Sequence, residues 1–134
     1  MELTVTYNAE QQIVVATPIG SMNKANVLKT FNEALKLSNK ENCFSLLFDI
    51  RMCPLNQTQT EALSVMSDLT KLPGMTYRHR NAVVFNPENY PADRAEFIEN
   101  VVNNRANPAY RVFTTIDSAK EWLVGASTLT PTSA

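Results

Sequence analysis

The stretch 43–49 constrains what this chain can fold into more than any other part of the sequence. It is a short, nearly unbroken apolar run that ends at Asp49, with polar Asn42 before it and Pro54 soon after it. This length and these flanking residues favour a β-strand over a helix. A strand that is apolar on both faces belongs in the middle of a covered sheet. In open α/β sheets ligands bind beyond the carboxyl ends of the strands, so Asp49 marks the first place to look for chemistry.

The remaining apolar patterns predict four more strands and four helices. Alternating apolar residues predict strands at 3–7, 13–17, 77–85 and 110–114. Apolar stripes at helical spacing predict helices at 22–38, 58–70, 92–104 and 116–124. The order is β-β-α-β-α-β-α-β-α, an N-terminal β-hairpin followed by alternating α/β units, which predicts a five-stranded mixed sheet with four helices. All seven prolines fall at or beyond the ends of these predicted elements.

Length and composition indicate a single domain. The chain has 134 residues, and we expect one α/β domain at 1–124 followed by a disordered tail at 125–134, which is rich in Ser, Thr and Pro. We expect a cytoplasmic, bacterial-like protein that does not insert into membranes, because neither a signal peptide nor an apolar run of roughly 20 residues is present. The net charge of −1 argues against nucleic acid as a partner.

The residue types that catalytic, phosphate-binding and metal-binding sites most often use are scarce in this chain. With three glycines, one histidine and two cysteines, the chain cannot build a Gly-rich phosphate loop or an ordinary zinc site. Cys43 and Cys53 match no metal or redox spacing, so we interpret them as reduced thiols in or near the core. We therefore predict no metal, no cofactor and no enzymatic activity. An enzyme acting through Asp49, Thr58 or His79 is the least favoured of three hypotheses.

With these elements placed, the chain resembles the STAS domain superfamily, the fold of anti-sigma-factor antagonists, and in particular its uncharacterised STAS-like bacterial branch. Three stretches carry the resemblance. They are the opening hairpin with its Gly20-Ser21 exit, the apolar strand and its Asp in 45–51, and the pattern of 105–123 with Tyr110-Arg111-Val112-Phe113, Ala119 and Trp122-Leu123. The resemblance covers nearly the whole chain and implies a STAS-like fold, with protein partners or small ligands.

One motif of the family is missing. Antagonists that are phosphorylated carry an Asp-Ser-Ser-Gly-like turn after the central strand, whereas 56–60 here read Asn-Gln-Thr-Gln-Thr. Thr58 falls about where that serine would be and still offers a hydroxyl. The resemblance does not carry a phosphorylation switch over to this chain, but Thr58 is a candidate phosphorylation site. The alternative is that Thr58 simply caps a helix.

Other candidate residues each have a structural alternative. Asp49 and Arg51 could bind a ligand, or Asp49 could accept backbone N–H groups of the next loop while Arg51 pairs with it. Asn86 would join them at the same edge of the sheet. His79 could act as a base, but we favour a place on the solvated face or at the beginning of its strand. Four arginines could gather as an anion site if the fourth and fifth strands are adjacent, or could be scattered over the surface. They are Arg78, Arg80, Arg105 and Arg111.

These observations lead to two main hypotheses. The first is a non-enzymatic interaction or regulatory module that forms a dimer or binds a protein partner, through the uncovered sheet face or the hairpin edge. The second is a small-ligand binding domain, for nucleotides or lipid-like molecules, that uses the carboxyl edge of the sheet. The candidate ligand or interaction residues are Asp49, Arg51, Asn86 and Arg80.

Overall fold

A computed structural model of the protein describes residues 1–54, 58–69, 71–76, 78–89, 91–105 and 109–133. Within these ranges the side chains at 59, 62, 66, 97, 98, 101–105 and 126–133 are outside the description. Arg105 of the predicted arginine set, and Asn56 and Gln57 of the segment that departs from the family motif, are therefore not discussed further.

The described chain contains five strands and four helices in the predicted order. They are β1 (Glu2–Asn8), β2 (Ile13–Ile19), α1 (Lys24–Glu41), β3 (Ser45–Asp49), α2 (Gln59–Leu69), β4 (Arg80–Val84), α3 (Ala92–Arg105), β5 (Ala109–Phe113) and α4 (Ile116–Ser133). The predicted fold class is confirmed: an N-terminal hairpin followed by alternating α/β units.

The strands lie in the sheet in the order β1-β2-β3-β4-β5. β1 is antiparallel to β2, and every other neighbouring pair is parallel. The sheet is therefore mixed, with β3 at its centre and β1 and β5 at its edges. Leu46, Leu47 and Phe48 of β3 are almost completely buried, as a strand covered on both faces requires.

Helices cover both faces of the sheet. On one face, Leu35 of α1, Val65 of α2 and Ala95 of α3 pack in one apolar cluster with Phe48 and Val83. On the other face, Ala119 and Leu123 of α4 pack with Leu47, Ala82 and Val84. Successive residues of β3 and β4 thus point to opposite layers, which is the period-two pattern of a strand.

Capping residues define the ends of α1. The side chain of Asn23 accepts a hydrogen bond from the backbone N–H of Asn26 at 2.9 Å, which is the usual N-cap bond. At the other end Asn42 adopts a left-handed conformation with φ 52°, which Asn tolerates better than most residues. The sequence predicts the end of the helix at Ser38, but the helix continues to Glu41, because the backbone N–H of Asn42 still bonds the carbonyl of Ser38.

Three more predicted boundaries are wrong. Pro18 lies inside β2, because the parallel pairing with β3 covers 14–16 and needs no N–H from Pro18. β4 begins at Arg80, and the predicted first residue, Tyr77, lies outside the described residues. Directly before β4 the N–H of His79 bonds the carbonyl of Thr76, so His79 is not part of the strand.

The third wrong boundary is the end of α4, predicted at Val124. The helix runs to Ser133, so Pro131 also falls inside a helix. Gly125 costs a helix only about 1 kcal/mol, and no proline precedes Pro131 in the helix, so no residue directly after Val124 forces an end. The division into one domain at 1–124 and a tail stays a prediction.

Candidate functional site

The carboxylate of Asp49, at the carboxyl end of β3, is held by Arg51. Arg51 Nε donates to Oδ1 at 2.8 Å and Nη2 donates to Oδ2 at 2.9 Å. The backbone N–H of Arg51 also donates to Oδ1, at 3.2 Å. The hydrogen bond to Asp49 raises the pKa of Arg51 above its ordinary value. This geometry is what the loop-anchoring alternative predicts, and ligand binding by the pair stays a prediction.

Two asparagines shape the neighbouring loop after β4. Asn86 Oδ1 accepts the backbone N–H of Glu88 at 3.0 Å, which is an Asx turn. Asn89 Nδ2 donates to the carbonyl of Arg51 at 3.2 Å, so this loop is bonded to the loop that follows β3. Asn89 Oδ1 is buried and has no hydrogen-bond partner among the described residues. The carboxyl edge is thus held together mainly by its own side chains.

Thr58 caps α2. Its Oγ1 accepts the backbone N–H of Glu61 at 3.1 Å and lies 3.3 Å from Glu61 Oε1. The sequence Thr-Gln-Thr-Glu therefore pairs the hydroxyl with the third residue of the helix, as in the first half of a capping box. Glu61 also places a negative charge in the first turn, where the helix dipole favours it. Thr58 is exposed, and its phosphorylation stays a prediction.

The arginine set is divided between two places. β4 and β5 are adjacent, and Ala82 pairs with Arg111, which puts Arg80 and Arg111 on the same face of the sheet. Both guanidinium carbons lie 5.8 Å from the ring centroid of Trp122. Arg78 instead lies over Phe44, 4.2 Å from its ring centroid. Arg80 is at the amino end of β4, whereas Asp49 pairs with Val84 at its carboxyl end, so the four candidate residues do not form one site.

Among the candidate residues, His79 has the environment that differs most from the prediction. It does lie directly before β4, but it is fully buried instead of solvated. Its Nδ1 accepts the backbone N–H of Thr76 at 3.0 Å, and its Nε2 lies 3.1 Å from Ser38 Oγ. The Ser38 hydroxyl in turn donates to the carbonyl of Cys43. Burial lowers the pKa of His79. A hydrogen bond with the backbone of Thr76 raises it in part, and the positive charge of Arg78 lowers it further.

We assign the proton of the neutral ring to Nε2, because Nδ1 is already an acceptor. This assignment satisfies both ring nitrogens without a charge. The network joins the last turns of α1 to the segment before β4 and serves packing. The sequence analysis did not predict this network, although one signal for it was present. Alternate positions of the strand pattern share one face, and Arg78 and Arg80 point away from that face. The residues on the shared face are His79, Asn81, Val83 and Phe85.

Both cysteines are free and buried. The thiol of Cys43 lies 3.1 Å from the carbonyl of Gln12, and that of Cys53 lies 3.2 Å from the carbonyl of Pro18. Burial raises the pKa of both thiols, which disfavours the reactive thiolate. The prediction of reduced thiols in the core agrees with this placement.

Metal-binding clusters and membrane-spanning helices are both absent from the described residues. No group of three or more His, Cys, Asp and Glu side chains in that part of the chain could hold a metal ion. Within the same residues, no helix is both long and apolar enough to cross a membrane.

Comparison with solved structures finds the same fold in two bacterial proteins. An anti-sigma factor antagonist from Mycobacterium paratuberculosis matches with a TM-score of 0.57 and 13% identity, over 91% of this chain and 94% of that one. An uncharacterised protein from Shewanella loihica with a SpoIIAA-like fold matches with a TM-score of 0.51 and 12% identity, over 91% and 92%. No family model and no curated protein matches the sequence. The chain therefore has the STAS-like α/β fold of anti-sigma-factor antagonists.

Proposed function

We propose that this chain is a non-enzymatic regulatory module of the bacterial cytoplasm that works by protein–protein contact, and that it forms a dimer through the edge strand β1. The fold shared with an anti-sigma factor antagonist supports a regulatory role, and both similar structures come from bacteria. The bonds within the carboxyl edge add support, because Asp49 and Arg51 already satisfy each other.

The observation that carries the proposal is the unprotected edge of β1. Among the described strands, β1 pairs with β2 alone. Its register with β2 is continuous from Glu2 to Asn8, with no bulge, and it contains neither lysine nor proline. Natural proteins use bulges, lysines and prolines on edge strands to prevent edge-to-edge pairing. A straight edge of seven residues without them is suited to adding a strand from another chain.

The opposite edge of the sheet is protected. At β5 the backbone N–H of Val112 donates to Glu99 Oε2 at 2.7 Å, so a carboxylate from α3 occupies an amide that a further strand would need. An incoming strand would have to displace a charge-assisted hydrogen bond there. The two edges therefore differ, and the proposal concerns β1.

The sequence of β1 suits pairing with itself. In an antiparallel pair centred on Val5, each Thr4 would face Thr6 of the partner, and each Leu3 would face Tyr7. Glu2 would face Asn8, so no like charges would be opposed. Cross-strand Thr–Thr and aliphatic–aromatic pairs each contribute roughly 0.2–1 kcal/mol. Two copies would then form one continuous sheet.

Sedimentation velocity on the purified chain tests the proposal. We expect a dimer at micromolar concentration, and a monomer for the double variant Thr4→Lys/Thr6→Lys. Both threonines are exposed, so the variant should fold, while four lysines would meet across the proposed interface. The matched control is Thr60→Lys/Thr114→Lys, which makes the same change at exposed positions away from β1 and should remain a dimer. A monomeric wild type, or equal dissociation of both double variants, would reject the β1 contact.

A small-ligand binding domain is the second candidate, and one observation favours it. Asn89 Oδ1 is a buried acceptor without a partner among the described residues, beside the edge formed by Asp49, Arg51 and Asn86. A donor group of a nucleotide or a lipid-like molecule could satisfy it. Thermal-shift screening separates this function from the first, because a ligand of this edge should stabilise the wild type and not Asp49→Ala. A panel with no stabilising compound would count against it.

Regulation by phosphorylation at Thr58 belongs to the same proposal. A phosphate there would lie at the N-terminus of α2, where the helix dipole favours negative charge, but it would also face Glu61. Intact-mass measurement on protein from its native cells tests the modification. Absence of phosphate under every growth condition would remove Thr58 as a regulatory site and leave it as a cap.

A further inference from the structure

We infer that Arg80, Arg111, Phe113 and Trp122 form a docking surface for an acidic segment of a partner protein. This surface, the arginine–tryptophan patch, lies on the α4 face of the sheet. The inference rests on the proposed function, because it names the chemistry of a partner for the same module.

The register of the sheet brings the four residues of the patch together. Arg80 begins β4 and Arg111 lies in β5 beside Ala82, so the two arginines are diagonal neighbours on one face. Trp122 reaches them from α4, with each guanidinium carbon 5.8 Å from its ring centroid. Phe113 completes the patch, with its ring centroid 5.5 Å from the Arg111 guanidinium and 5.9 Å from the Trp122 ring. Two strands and one helix thus build a single surface.

The charge of the patch is unbalanced. Lys24, Lys36 and Arg51 each form an ion pair. Among the described residues, no carboxylate pairs with Arg80 or Arg111. The two guanidinium carbons each lie 5.8 Å from the same ring centroid. Two positive charges on one surface, with no paired carboxylate among the described residues, create a local positive potential on a chain whose net charge is −1. An acidic partner would supply the missing counter-charge.

The patch has the chemical composition of a protein interface. Arg111 is exposed, and Arg80, Phe113 and Trp122 are half-buried, so aromatic and guanidinium groups are both accessible. Tryptophan and arginine are enriched among the residues that dominate binding energy at interfaces. The planar guanidinium can hold a carboxylate with two hydrogen bonds, while the rings offer apolar contact to the stem of a glutamate.

An acidic protein segment fits this surface better than nucleic acid does. A site for single-stranded nucleic acid combines a positively charged groove that tracks the backbone with a series of stacking aromatic rings. Here two arginines and two rings form one compact surface, and the chain as a whole is slightly acidic. The geometry therefore points to a few carboxylates on a short peptide segment.

The fluorescence of Trp122 provides a direct test, because it is the single tryptophan of the chain. The full-length protein is titrated with a short, capped glutamate–alanine peptide that has no aromatic residue. We expect a saturable change in emission. Arg111→Gln and Arg80→Gln should each weaken binding about tenfold, the loss expected for one charge-assisted interaction. Arg111 is exposed, so its variant reports on binding even if Arg80→Gln fails to fold.

Two controls complete the design. Lys29→Gln removes one positive charge from the exposed side of α1, on the other face of the sheet, and should leave affinity unchanged. A lysine–alanine peptide of the same length should give no change in emission. The inference is overturned if the acidic peptide causes no saturable change or if Lys29→Gln weakens binding as much as Arg111→Gln. It is also overturned if inorganic phosphate or a single-stranded oligonucleotide binds the patch more tightly than the peptide.

The outcome is distinguishable from that of the proposed function. The double variant Thr4→Lys/Thr6→Lys changes β1 and leaves the arginine–tryptophan patch intact, so it should bind the peptide as the wild type does. A dimer that does not bind the peptide would reject the patch and keep the β1 contact. A monomer that binds the peptide would do the reverse.

Discussion

His79 is the residue whose environment most affects how the protein should respond to pH. The ring is fully buried, and Nδ1 accepts a backbone N–H from Thr76. Burial deprives a charged ring of solvent, so the folded protein resists the charged form. The pKa of His79 in the folded state is accordingly lowered, chiefly by burial, whereas the unfolded chain should show an ordinary value of about 6.5.

This difference predicts a loss of stability in mild acid. Below a pH of about 6.5 the unfolded chain binds more protons than the folded one, so His79 contributes its full stability above that value. The contribution is lost as the pH falls towards the folded-state pKa, by at most about 1.4 kcal/mol per pH unit. Urea unfolding at several pH values measures it. In His79→Asn this part of the pH dependence should disappear, and an unchanged slope would show that other groups cause it.

The pair Asp49–Arg51 predicts a stability effect rather than an effect on activity. Asp49→Ala leaves the backbone N–H of Arg51 and its guanidinium without their acceptor, so we expect a loss of about 1–2 kcal/mol of unfolding free energy. Arg51→Ala should cost less, because its side chain is 46% exposed and exposed pairs contribute little. A double-mutant cycle measures the coupling. Purely additive effects would contradict the pairing of the two side chains.

Asp49 and His79 show which contacts of single residues the sequence could predict and which it could not. The sequence did predict loop anchoring by Asp49 as one of two alternatives, because Arg51 follows within reach of a carboxylate at the end of a strand. The burial of His79 was not predicted, because its contact Ser38 lies 41 positions away and becomes a neighbour only after α1 packs. Local pattern indicates which way a side chain points, but the partner it meets depends on tertiary structure.

Among the secondary-structure elements, periodicity predicted every strand and helix of the described chain, and the ends were less accurate. The sequence predicts that β2 ends at Pro18. The strand continues to Ile19 because β1 still pairs with it there, while the pairing with β3 covers only 14–16 and needs no N–H from Pro18. The sequence also predicted the end of α1 at a polar run, which instead forms the last turns of the helix up to Asn42. Ends depend on which backbone groups still need a partner, and a one-dimensional pattern does not contain that information.

The N-terminus of α2 gives a prediction for a single element. Thr58→Ala removes the hydroxyl that accepts the N–H of Glu61, so we expect the protein to lose about 1 kcal/mol of stability. Thr58→Asp can still cap the helix and should retain most of it. Chemical denaturation of the three proteins measures the difference. Equal stability of Thr58→Ala and the wild type would show that the cap contributes nothing.

The molecule as a whole is a mixed sheet with two unlike edges. Glu99 from α3 protects β5, whereas β1 presents a regular row of backbone groups beside exposed threonines. The STAS-like fold places its helices on the two faces and leaves that row open. Resemblance in sequence predicted this fold correctly. The difference between the edges could not be predicted from the sequence, because it depends on one carboxylate meeting one amide in the folded chain.

Hydrogen exchange of the β1 amides, followed by mass spectrometry at low and high protein concentration, tests the proposed β1 contact most directly. Amides on the free edge of a strand exchange rapidly unless another strand pairs with them. We predict that peptides covering 2–8 become more protected as the wild-type concentration rises, and that Thr4→Lys/Thr6→Lys shows no such increase. Protection of β1 that does not depend on concentration, in a protein that still self-associates, would contradict the proposed β1 contact.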